Sequence, residues 1–138
     1  MKKIFIMAIV IMLSGCTSQG DGYVSFESIY KGDLAKINKV GFLDLAGSGQ
    51  EFTVENKDSI KQIVDALNKG KYKRITLKDE ELKTGGQLFS LKIFEGNKAE
   101  ETLSLFLSAD YVTINQKEYS IDKDTDGKLR QIYASVKK

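Results

Sequence analysis

Apolar residues along the chain follow two periods. Ile60, Ile63, Val64 and Leu67 recur at i, i+3, i+4 and i+7, which is one stripe of an amphipathic helix. Asn56 to Asp58 supply capping side chains ahead of it, and Gly70 stands where a helix commonly ends in glycine. Leu129, Ile132, Tyr133 and Val136 repeat the spacing and predict a closing helix. Elsewhere the period is two. Ile37 to Leu45 places Val40 and Phe42 on one face and Leu43 and Leu45 on the other; after the turn cluster Ala46-Gly47-Ser48-Gly49, Glu51 to Glu55 alternates strictly. These two segments predict an antiparallel hairpin. Gln87 to Glu95, with Phe89, Leu91 and Ile93 in phase, and Glu101 to Ser108, with Leu103, Leu105 and Leu107 in phase, predict a second hairpin across Gly96-Asn97. Tyr111–Asn115 and Glu118–Ile121 read as two short strands joined at Gln116-Lys117.

Two strands, a helix, four strands and a helix make an α+β pattern. The expected architecture is an antiparallel sheet of about five to six strands with two amphipathic helices packed on one face, forming a single domain over 29–138. Tyr23 to Gly32 has no clean period and reads as lead-in that packs against the domain. Lys71 to Gly86 is polar and charged, and reads as a long excursion with a short strand or helical turn around Ile75–Leu82. Loops of this length tend to be functional or disordered. This one is the expected partner-binding segment, through Tyr72, Lys73, Arg74 and Lys78, and is expected to be replaceable by a short linker without unfolding.

The amino terminus has a different pattern. Lys2 and Lys3 precede ten apolar residues, Ile4 to Leu13, and Leu13-Ser14-Gly15-Cys16 closes the run. Ten residues of helix span about 15 Å, half of a ~30 Å hydrocarbon core, so the run is too short to cross a bilayer. A charged start, a short apolar middle and a small-residue exit describe a secretory signal. Leu13-Ser14-Gly15-Cys16 resembles the lipobox of bacterial lipoproteins, which implies a diacylglycerol anchor on the Cys16 sulfur, acyl chains such as palmitate, and cleavage just before Cys16. Residues 1–15 are then signal peptide and 16–28 are anchor and tether, of which Thr17 to Gly22 is small, polar and glycine-rich. The chain's single cysteine cannot form an internal disulfide, and lipidation accounts for it. The expected place is the extracytoplasmic face of the cell membrane.

Charge narrows the partners. Removing Lys2 and Lys3 with the signal takes 21 basic residues to 19 against 19 acidic ones, a balance that excludes a nucleic-acid footprint set by bulk charge. The expected partners are the membrane, through the lipid on Cys16, and an envelope protein or polymer. Composition narrows the chemistry. With no histidine there is no Ser-His-Asp or Cys-His nucleophile and no imidazole metal ligand. Carboxylate pairs remain, with Glu80-Glu81 and Glu100-Glu101 as candidates that read more naturally as solvated side chains. No glycine-rich phosphate cradle precedes a helix. No tryptophan is present, and Tyr72, Tyr111 and Tyr119 are the available aromatic faces for a sugar.

Asp122-Lys123-Asp124-Thr125-Asp126-Gly127 reproduces the first half of a calcium loop, with Leu129 at its apolar position. Position 12 is Tyr133 where a bidentate glutamate belongs, and Lys128 and Arg130 add positive charge. The favoured reading is a helix cap from Asp124, Thr125 or Asp126, with no metal and no cofactor. The sequence thus points to a non-enzymatic, lipid-anchored binding or interaction module, with a carboxylate-only envelope hydrolase as the alternative.

Several segments bear a resemblance: Ile29-Tyr30-Lys31-Gly32, Ile37-Asn38-Lys39-Val40, Ile60 to Leu67, and Asp124-Thr125 before the last helix. Together they resemble the YhfM-like domain group of small lipoproteins in Bacillus-like bacteria. The resemblance implies a lipoprotein location and no activity.

Overall fold

The computed structural model describes residues 22–77, 87–98, 100–109 and 111–138. The long alternating segments form the middle of one antiparallel sheet. β2 (Ile37–Asp44) turns Val40, Phe42 and Asp44 inward. It pairs with β3 (Glu51–Val54) through Val40↔Val54 and Phe42↔Phe52, as expected of the first hairpin. β5 (Gln87–Glu95) and β6 (Leu103–Ser108) pair through Leu91↔Leu105 and Ile93↔Leu103, so their apolar residues share a face with Val40 and Phe42. β7 (Val112–Ile114) and β8 (Lys117–Ile121) continue the sheet across a two-residue turn. Asn115 and Gln116 both take positive φ there, 49° and 61°, the geometry that matches strand twist in such hairpins.

The sheet has eight strands rather than five to six. The additional strands are β1 (Tyr23–Val24) and β4 (Tyr72–Arg74), and the strand order is β1-β4-β8-β7-β6-β5-β2-β3. Tyr23 pairs with Lys73, and Arg74 with Tyr119. The sheet therefore includes Tyr23 and Val24, which the sequence assigns to the tether. α1 (Phe26–Tyr30) follows, capped by Ser25, and makes a third helix; its Phe26 is fully buried and lies flat against Tyr30, ring centroids 5.7 Å apart.

α2 (Lys57–Lys69) starts where Asn56 Oδ1 accepts from the N–H groups of Asp58 and Ser59, and buries Ile60, Ile63, Ala66 and Leu67. Gly70 ends it for a reason other than the expected one. Its backbone is extended (φ −65°, ψ 147°), not left-handed, so glycine is not needed for conformation. A Cβ there would lie 2.8 Å from the Tyr72 ring, closer than side chains tolerate. α3 (Lys123–Val136) packs beside α2, with Leu129 fully buried and Ile132, Tyr133 and Val136 closing the margin of the same core. Among the described residues no helix is long and apolar enough to cross a membrane.

Candidate functional site

β4 decides the fate of the expected partner-binding residues. Tyr72 is fully buried, tilted against Phe26 at 6.0 Å, and its hydroxyl donates to the Leu67 carbonyl at 2.8 Å. Neighbours on a strand point to opposite faces, so Lys73 and Arg74 diverge. Lys73 sits over the Tyr23 ring at 6.0 Å, and Arg74 lies over the Tyr119 ring at 5.5 Å. Lys78 lies outside the described residues, as do Cys16, Glu80 and Glu81. The start of the supposed excursion is thus a paired strand, because Tyr72 has an apolar seat that local polarity does not reveal. The tyrosine platform dissolves for a similar reason: Tyr72, Tyr111 and Tyr119 are all buried.

The aspartate run is the first turn of α3, and its cap is Asp122, two residues before the first of the expected ones. Asp122 accepts from the Thr125 N–H at 3.0 Å, the Thr125 hydroxyl at 2.9 Å and the Lys71 N–H at 2.8 Å. Burial works against its charge, but these donors hold its pKa below the usual carboxylate value. Asp126 instead meets Arg130 Nε at 2.8 Å. Among the described residues no group of three acidic side chains converges on a point where a metal ion would sit. We expect Asp122→Ala to cost about 1–2 kcal/mol, since it removes a cap and a tie to β4. Asp126→Ala should cost only about 0.5 kcal/mol, the scale of an i,i+4 ion pair that stays partly open to solvent. Urea denaturation of both variants, with and without millimolar calcium, checks the order and the insensitivity to calcium.

Two carboxylates are buried on the helix-bearing side, and each has its own partners. Glu95 Oε1 accepts from the Tyr30 hydroxyl at 2.7 Å and the Asp33 N–H at 2.9 Å. A Cβ on Gly32 would collide with that same oxygen and with the Tyr30 ring. The Tyr30 hydroxyl, first among several donors, holds Glu95 below its ordinary pKa. Asp44 Oδ2 accepts from Lys137 Nζ at 2.8 Å and from the Ser48 N–H at 3.1 Å. Lys137 keeps Asp44 ionised against the opposing effect of burial. Since Glu95 pairs with Ile37 at one end of β2 and Asp44 ends the other, about 24 Å of strand separates them. Glycosidase carboxylates work about 5–9.5 Å apart. Of the other candidates, Glu101 accepts from the Ser104 hydroxyl at 2.8 Å and lies 3.9 Å from Lys92. These carboxylates act as clasps for chain segments.

The sequence gives one signal for these clasps. Asp44 continues the phase of Val40 and Phe42, and Glu95 continues that of Phe89, Leu91 and Ile93. A carboxylate in phase with a buried face implies a buried partner.

Concavities supply the remaining candidate. One of about 480 Å³ opens between α1 and the β7–β8 hairpin, and its lining includes Val24, Lys31, Arg74, Asn115, Lys117 and Tyr119. It brings together three cations that are far apart in sequence, and no acidic residue lines it. Four other concavities each mix their lysines with a carboxylate: Glu51, Asp65, or Glu55 in two of them. Arg74 Nη1 donates to the Glu118 carbonyl at 3.2 Å and lies 3.6 Å from the Glu118 carboxylate. Lys31 and Lys117 have no ion-pair partner among the described residues. Of the expected partner-binding residues that are described, Tyr72, Lys73 and Arg74, Arg74 is the one that lines this site.

Comparison with known protein families, curated proteins and solved structures gives no match.

Proposed function

We propose that the chain is a lipid-anchored, extracytoplasmic interaction module that captures an envelope component without catalysing a reaction. The observation that carries this reading is Leu13-Ser14-Gly15-Cys16 placed directly after a charged start and a ten-residue apolar run. A diacylglycerol on Cys16, at roughly 0.8 kcal/mol per buried methylene, supplies the two acyl chains that stable anchoring needs. The geometry favours binding over hydrolysis. The buried carboxylates Asp44 and Glu95 are far apart, tied to cations or hydroxyls, and held ionised, so neither is prepared to give up a proton as a general acid.

Cys16→Ser tests the anchor. In cells fed a clickable fatty-acid analogue, the parent chain should take up label and sediment with membranes. The variant should lose the label entirely and keep its uncleaved amino terminus. Parent protein found in the medium with an unmodified thiol would overturn the reading.

A further inference from the structure

We infer that the concavity lined by Lys31, Arg74 and Lys117 is a membrane-docking surface, which seats the domain on the headgroups of anionic lipids beside its own anchor. The inference rests on the proposed lipidation of Cys16 and adds an orientation to it. Four observations converge.

The first is charge: three cations line the site with no carboxylate among them, unlike the mixed linings elsewhere. The second is reach. Val24 lines the site and is eight chain steps from Cys16, so the two are at most about 29 Å apart even with the chain fully extended. The third is apolar exposure. Tyr23, Val24 and Leu45 are the large hydrophobic side chains left exposed among the described residues, and the first two form β1 at this rim. A tyrosine and a valine flanked by cations is the composition of a surface that enters the headgroup layer.

The fourth is backbone conformation. Lys31, Asn115 and Gln116 are the three non-glycine residues with positive φ among the described residues. Lys31 and Asn115 line the site, and Gln116 separates Asn115 from Lys117. Lys31 closes α1 at φ 58°, a position where glycine fits without strain. A side chain retained there presents its charge at a conformational cost, as happens at functional surfaces.

Each cation near an anionic bilayer shifts the equilibrium about fivefold toward the bound orientation. The test uses the full chain, processed and lipidated by its host and reconstituted in vesicles. Ser28→Cys puts a thiol in the lining of the site. Gln50→Cys puts one beside β3, at the edge of the sheet opposite β1. With Cys16 acylated, each variant has one thiol to carry a fluorophore. In vesicles one-third phosphatidylglycerol, a quencher on the lipid headgroups should dim the Ser28→Cys fluorophore several-fold more than the Gln50→Cys fluorophore. The difference should vanish in pure phosphatidylcholine and at 1 M salt, where the screening length falls to ~3 Å. Adding Lys31→Gly and Lys117→Gln should lower the docked-to-undocked ratio about fivefold each. The Lys31→Gly protein should melt no lower than its parent, which separates docking from folding.

Equal quenching at both positions, or a preference that survives in neutral vesicles, overturns docking. So does a preference unmoved by Lys31→Gly with Lys117→Gln. If soluble wall polymer protects the Ser28→Cys thiol from alkylation while vesicles do not, the cations serve a polymer and the membrane assignment is wrong. A reactive thiol in the parent chain shows instead that Cys16 is unmodified, and then the anchor itself fails and docking fails with it.

Discussion

Tyr72→Ala should destabilise the domain by about 3–5 kcal/mol, the cost of removing a large aromatic side chain from a packed core. That is a large share of a domain's ordinary 5–15 kcal/mol, so much of the chain should be unfolded at 37 °C. The ring touches α1 through Phe26, and α2 twice: at the glycine that ends it and, through the hydroxyl, at the Leu67 carbonyl. Its loss opens a void, because β4 is held between β1 and β8 and cannot collapse inward. Tyr72→Phe keeps the ring and removes the hydroxyl's bond. The Gly70 N–H still donates to the Leu67 carbonyl at 3.2 Å, so that change should cost only about 1 kcal/mol. Lys73→Ala, on an exposed side chain, should stay within about 0.5 kcal/mol. Urea midpoints with unchanged slopes check the series. A cost below about 1 kcal/mol for Tyr72→Ala would mean that β4 is peripheral, as the polarity of its surroundings suggests. The same packing bears on the whole segment from Lys71 to Gly86: a linker in its place removes Tyr72 along with the loop, so the shortened chain should fail to fold.

The difference between β4 and its neighbours shows what the sequence could convey. α2 is legible because four apolar residues repeat at helical spacing, and burial follows that stripe at Ile60, Ile63 and Leu67, with Val64 half-buried at its margin and Ala66 added to it. β5 and β6 are legible because nine- and six-residue strands give alternation room to repeat. β1 and β4 have two and three residues, too few for any period, and they are strands because β8 offers an edge to complete. That cause is non-local, so no window of sequence contains it. The α3 cap was legible in type and displaced in position. Four candidate side chains lie from Asp122 to Asp126, and Asp122 prevails because Lys71, just ahead of β4, supplies a second backbone donor. The basic concavity was least legible. Arg74 was noticed as part of a charge run, but the run is split by the strand's alternation, and its actual companions Lys31 and Lys117 come from a helix end and a hairpin.

Lys137→Met should lower the melting temperature most at neutral pH and progressively less as the solution is acidified. Asp44 is almost fully buried, and Lys137 is the largest of the influences that keep it charged, with burial opposing. Its pKa is depressed in the folded chain, whereas an unfolded aspartate titrates near 3.9. The unfolded state therefore binds the proton first. The clasp's contribution is complete above about pH 5 and is lost as the pH falls through 4 toward the folded value. Glu95 and Asp122 are depressed as well, so all three carboxylates weaken the fold in the same acid range.

Without the lysine, burial opposes the Asp44 charge with only neutral donors such as the Ser48 N–H to offset it, so its pKa rises from the clasped value and protonation relieves part of the loss. Asp44→Asn should be milder at pH 7. An amide oxygen still accepts from the Ser48 N–H, and Lys137, nearly half exposed, can turn its ammonium to water. Melting curves from pH 7 to 3 should show Lys137→Met well below Asp44→Asn at neutrality and the two converging near pH 3.5. Parallel curves would mean that Lys137 contributes packing over Tyr133, where its ammonium lies 5.7 Å from the ring, and not charge. Convergence would place the carboxylate's ionisation at the joint between the end of β2 and the end of α3. The chain then closes α3 with a charge, as it closes α1 through Glu95.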